Sequence, residues 1–214
     1  MEDVLQVYTR PYDARHPQIC LDETPVHVRR ERVPAEPTRP GRAAHADYQY
    51  DPQGVCNLFL ACEPLAGRRY VAVTTQHTAQ DWAPFLRDLI ENHYPEAETL
   101  VLVRDNLKPQ TPASFYKVFP PEEARRLTEK LELHYTPKHG SWLHMVAIEL
   151  SVLVRQCLCR PIASQDVLTH QVAAWQAQRN AATTTIDWRF TSADARIKLK
   201  RLYPAFSSLA NAPL

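Results

Sequence analysis

Ile19, Leu21 and Val26 recur at near-alternate positions in "PQICLDETPVHV" (17–28), the two-residue period of a strand, and Asp22 closes its first apolar run. "GVCNLFLACEP" (54–64) and "RRYVAVTTQ" (68–76) repeat that signal on either side of a Pro64-Leu65-Ala66-Gly67 turn, and this close spacing predicts an antiparallel meander of three strands. The period then changes. "TAQDWAPFLRDLIENHYP" (78–95) carries Trp82, Phe85, Leu86, Leu89 and Ile90 on one stripe behind Thr78, which predicts a capped helix. "TLVLVRDN" (99–106) is a continuous apolar run ending at Asp105, the pattern of a strand buried on both faces and parallel to the first. "TPASFYKVF" and "PPEEARRLTEKL" read as short helices, and "LELHYTP" (131–137) as a fifth strand. Helices are predicted over 141–158 and from about Ser164 to Arg179. The stretch 29–50 has no period, is rich in Pro and Arg, and reads as an exposed excursion or hairpin.

This order makes an α/β chain with a mixed five-stranded sheet flanked by helices: a three-strand antiparallel meander plus two further strands, the order of a ribonuclease H-like fold. At 214 residues the chain suits one domain with a real core. No run of eighteen apolar residues occurs, so no membrane partner is expected, and the acidic start lacks a signal-peptide pattern; a cytoplasmic location is the expectation. The five cysteines include no C-x-x-C pair and read as buried free thiols. With four glycines against eighteen prolines, neither G-x-G-x-x-G nor a Walker motif is present. The net charge of +1 offers no global attraction to nucleic acid, so any such surface must be local. Arg29, Arg30, Arg32, Arg39 and Arg42 make the best candidate for phosphate contact; Arg196, Lys198, Lys200 and Arg201 read equally as a second contact or as a solvated face.

Asp22 and Asp105 stand where apolar strands leave a sheet. A rigid strand fixes an acid there while the open end admits substrate, and two such aspartates on adjacent strands could hold a divalent metal. Aspartate also ends strands for purely local reasons, so the pattern alone leaves both readings open. Glu23 points to the other sheet face and reads as structural.

A family resemblance adds to this. "CLDETPV", "NLFLACEPLAGRRYV", "TAQDWAPFLRDLIENHYPEAETLVLVRDNL", "LELHYTPKHGSWL" and "DWRFTSADARIKLKRLYP" closely resemble the bacterial insertion-sequence transposases of the mariner superfamily, over nearly the whole chain. These are DDE enzymes with a ribonuclease H-like catalytic domain. The resemblance implies metal-dependent cleavage of DNA at transposon ends and strand transfer to a target, using two Mg2+ or Mn2+ ions. It makes Asp22 and Asp105 the first two catalytic, metal-binding acids. The third belongs to a helix whose family pattern is Asn-Met-Ala-Glu-Ile-Glu, where this chain reads His144-Met145-Val146-Ala147-Ile148-Glu149. The acid position is Ala147 and the asparagine position is His144. Leu107-Lys108-Pro109-Gln110 likewise replaces Leu-Asn-Thr-His. Glu149 lies about 200° around a helix from Ala147 and faces away, whereas His144 shares its face.

The resemblance further implies a residual linker over 1–16 from a missing N-terminal helix-turn-helix region, an endonuclease domain over 17–204, and a flexible tail over 205–214. Its partners would be DNA, as transposon ends or target, and a second copy or a full-length transposase. Two functions compete: an impaired DDE endonuclease, or a non-enzymatic DNA-binding or dimerising regulator derived from one. A reading frame in decay is the third alternative.

Overall fold

The computed structural model describes residues 1–32, 50–106, 111–138 and 140–203. Its centre is a five-stranded sheet in the order β3-β2-β1-β4-β5. β1 (Gln18–Glu31), β2 (Tyr50–Glu63) and β3 (Arg68–Thr74) form the antiparallel meander, and β4 (Leu100–Asp105) and β5 (Leu131–Thr136) add to β1 in parallel. The mixed sheet expected from the sequence is present.

Alternation along the strands sends two apolar sets to opposite faces. Ile19, Leu21, Phe59, Ala61, Leu100 and Leu102 pack against α2 (Ala79–Asp88), the 3-10 turn Pro112–Lys117 and α3 (Pro121–Glu129) through Trp82, Phe85, Leu86, Phe115 and Leu127. Cys20, Val26, Val28, Leu58, Leu60, Val101 and Val103 pack against α1 (Glu2–Tyr8), α4 (Val146–Gln156) and α5 (Gln165–Ala181). A last helix, α6 (Ser192–Lys198), joins α1 in a small satellite core around Leu5, Leu143 and Ala195.

Local chemistry explains the boundaries. Thr78 opens α2 by donating both its amide and its hydroxyl to Asp81, at 2.9 and 2.6 Å. The helix expected over 78–95 ends at Asp88 and continues as a π-helical turn over Leu89–His93. That over 141–158 is divided: a 3-10 turn, Ser141–Leu143, precedes α4. Gly67 makes the β2–β3 turn at φ +67°, and a Cβ there would lie 2.6 Å from the backbone of Thr183, so only glycine fits.

Three sequence expectations change. The first strand runs to Glu31 instead of 28, because β2 pairs with it up to Tyr50, across a bulge at Val28/Arg29. Arg29 and Arg30 are therefore strand residues. Pro25 is tolerated because β4 leaves β1 at Leu21 and the next bridge on that side, to Ile162, comes only at Val28. Residues 1–16, read as linker, contain α1, which buries Val4, Leu5, Val7 and Tyr8; the Tyr8 hydroxyl donates to the Leu143 carbonyl at 2.9 Å. Cys20, Cys56 and Cys62 are buried free thiols as expected, whereas Cys159 is exposed. No helix among the described residues is long and apolar enough to cross a membrane. The tail expected over 205–214 and the stretch 107–110 lie outside the described residues.

Candidate active site

β1 and β4 pair in parallel with Leu21 opposite Arg104, so the next residue on each strand, Asp22 and Asp105, stand side by side, strands roughly 5 Å apart. Asp22 alternates with Cys20, and Asp105 with Val101 and Val103, which places both on the α4 face of the sheet. Both are half-buried. Asp22 Oδ1 accepts the Glu23 amide at 2.8 Å, and Asp105 Oδ1 lies 3.4 Å from the Thr136 hydroxyl on β5. The pair predicted from sequence is brought together.

The entry to α4 is tied to β1 next to Asp22. His144, 3% exposed, donates Nε2–H to the Leu21 carbonyl at 3.0 Å, one residue before Asp22. That bond anchors the helix start to β1 and commits Nε2. Burial opposes protonation of His144, but the Cys20 thiol and the Asp22 carboxylate outweigh it and hold its pKa above the usual value. Ala147 follows in the first turn, its amide bonded to the His144 carbonyl at 3.0 Å, and its methyl is exposed.

Glu149 points elsewhere. It is 1% exposed, and its carboxylate accepts Arg69 Nη2 at 2.6 Å and Arg179 Nη2 at 3.0 and 3.2 Å. Arg69 is itself tied to the Gly67 and Thr184 carbonyls, each at 2.6 Å. This buried triad ties α4 to β3 and α5, so Glu149 is not available to Asp22 and Asp105.

The metal question turns on the donors present. Two carboxylates fit one hydrated divalent ion of the Mg2+ or Mn2+ kind, which takes most of its shell from water and phosphate oxygen. They do not fit the two-ion cage that the resemblance implies. Among the described residues no group of three or more His, Cys, Asp or Glu comes together as a metal site.

A residue that the reading of candidate acids passed over is Arg104. It is 3% exposed and lies on the α2 face, and its guanidinium carbon is 5.3 Å from the centroid of Trp82 and 6.0 Å from that of Tyr135. Burial lowers its pKa from the usual arginine value, against the pull of Tyr135, Glu23, Asp22 and Asp105. A single cation inside the apolar run "LVLVRD" was the available signal.

The predicted arginines lie apart from the acids. Arg29 follows Asp22 by seven strand residues, roughly 23 Å. Arg29, Arg30 and Arg32 line an open cavity of about 630 Å3 with Asp51, Gln53, Pro161 and Ala163. Arg32 also pairs with Asp51 at 3.0 Å. Arg39 and Arg42 lie outside the described residues. In the C-terminal basic group, Arg196 is held by both carboxylate oxygens of Glu2 at 2.7 and 2.9 Å, and Lys198 Nζ lies 5.6 Å from the Phe190 ring centroid.

The profile of the DDE superfamily endonucleases matches residues 17–169, the span that holds β1 to β5, α4 and both aspartates. This chain belongs to the DDE endonuclease superfamily. A comparison with curated proteins found no match. Among solved structures the DDE domain is similar to the Mos1 mariner paired end complex with Mn, at a TM-score of 0.53 and 14% identity, covering 85% of this chain and 55% of that one. The Mos1 strand transfer complex aligns at a TM-score of 0.48 and 13% identity, covering 85% and 54%. The chain thus spans about half the length of the transposase chains it matches. At this identity the likeness is one of fold, and the DDE domain has the ribonuclease H-like fold.

Proposed function

We propose that this DDE domain is a DNA-binding transposase domain of the bacterial insertion-sequence branch of the mariner superfamily whose phosphodiester chemistry is impaired at Ala147. Supporting this is the contrast within one helix. Ala147 is exposed and carries no carboxylate, while Glu149, two residues on, is held by Arg69 and Arg179. Asp22 and Asp105 would hold one Mg2+ or Mn2+ ion. A bound divalent ion supplies polarisation of water and of a phosphate oxygen. The chain's own residues orient that chemistry: β1 and β4 fix the carboxylates, and His144 sets the entry of α4. Without a third carboxylate the metal position is under-determined, and rate falls steeply, because phosphodiester cleavage depends on placement and charge.

A second reading, a regulator that binds DNA or pairs with a full-length transposase, is favoured by the separation of functions. The arginine cavity is roughly 23 Å from the acids along β1, so a missing acid leaves it untouched.

Replacing Ala147 by Glu is the decisive test, because the exposed methyl leaves room for the larger side chain. In Mn2+ on supercoiled DNA, A147E should nick at least about a hundredfold faster than the wild type. Wild-type nicking abolished by D105A would overturn the impairment; binding to DNA with no nicking by either protein would favour the regulator.

A further inference from the structure

Position 104 is occupied against the pattern of its strand. Leu100 and Leu102 send apolar side chains into the α2–α3 layer, and alternation puts the next residue of that row at 104. It is an arginine, buried to 3% exposure, with its guanidinium held between Trp82 and Tyr135. Directly across the ladder is Leu21, followed by Asp22 and Glu23. Leu21, Asp22, Glu23, Trp82 and Arg104 together line a small recess of about 10 Å3, at the limit for one water.

A guanidinium taken out of water must be offset by opposite charge near it. The carboxylates that act on Arg104 are those of Glu23, Asp22 and Asp105. The relation is mutual. Two aspartates side by side on neighbouring strands repel, and a fixed cation on the opposite face of the same two strands offsets that repulsion.

We propose that Arg104 is a resident countercharge for the Asp22–Asp105 pair, a positioning residue that holds the two carboxylates together without a divalent ion and lowers their affinity for one. The proposal rests on the reading of those aspartates as the acids of the site. Compared with a three-acid pocket lacking such an arginine, Ala147 removes one negative charge and Arg104 adds one positive. A divalent ion responds to that change of two charges in a partly desolvated setting, where screening is weak.

Manganese binding measured by electron paramagnetic resonance tests this directly in the intact chain. R104L, which continues the apolar row, should bind Mn2+ at least about tenfold more tightly than the wild type, while R104K keeps the wild-type affinity. R104L binding no more tightly than the wild type, with the binding lost in D22N, overturns the countercharge alone. Mn2+ binding to R104L that survives both D22N and D105N places the ion elsewhere and overturns the reading of the site as well. A second measurement does not depend on any Arg104 variant folding. For a bare pair of carboxylates in metal-free buffer, D22N or D105N relieves repulsion and raises Tm. With Arg104 as countercharge, each should lower Tm by about 2–4 °C, and a rise would overturn the proposal.

Discussion

Two residues apart on one helix, Ala147 and Glu149 would divide the chemistry proposed for the site from the stability of the fold. Both follow His144 in a stretch whose alignment of residue types is plain in the sequence, but their surroundings differ completely. Ala147 is exposed, whereas Glu149 is 1% exposed between two arginines. Truncating Glu149 leaves Arg69 buried with no carboxylate, so E149A should cost about 3–5 kcal/mol in chemical denaturation. It should leave the Mn2+ affinity of R104L unchanged, since the Glu149 carboxylate is committed to Arg69 and Arg179. A loss of that affinity with no loss of stability would place Glu149 at the site. Helical spacing alone predicted that Glu149 faces away. Its partners, 80 and 30 residues distant in sequence, were not legible, because a buried ion pair leaves no local pattern.

Among the elements, the strands and long helices were legible wherever burial has a period, and the misreadings fall where it does not. α1 is short, and its apolar residues make sense only against the sheet and α6. It is fastened at its ends by polar contacts. Glu2 grips Arg196 on α6, and the Arg196 hydrogen bonds hold the Glu2 carboxyl below the usual carboxylate range. Asp194 is likewise held low by the Thr191 amide that it caps. Carboxyls depressed in the folded state stabilise it above their unfolded pKa, and that stabilisation is lost as pH falls through the folded values. Docking of α1 on α6 should therefore be constant from neutrality to about pH 5 and loosen below about pH 4. Amide chemical shifts of α6 followed against pH check this, and loosening as pH rises toward 8 would contradict it. Both contacts are exposed, so high salt should weaken the fastening too.

For the molecule as a whole, the net charge is nearly zero and DNA binding depends on where the cations stand. The β1–β2 ribbon carries Arg29 and Arg30 to the far end of the sheet, exposed beside a cavity of about 630 Å3. If they meet phosphates, R29Q and R30Q should each flatten the slope of log affinity against log salt by about 0.9, measured by fluorescence anisotropy on duplex DNA. R125Q, which removes an exposed arginine paired with Glu129, should leave the slope as it is. By itself the sequence determined the α/β class, the meander, Asp105 at the end of its strand and the absence of an acid at position 147. Each of these is written in short-range periodicity or residue identity. Only the tertiary structure decided that β1 runs on to carry the arginines, that α1 is part of the core, that Glu149 is committed to Arg69 and Arg179, and that Arg104 lies behind the aspartates. Those outcomes depend on strand register and on contacts between distant segments, which set where a buried charge finds its partner and which no local pattern encodes.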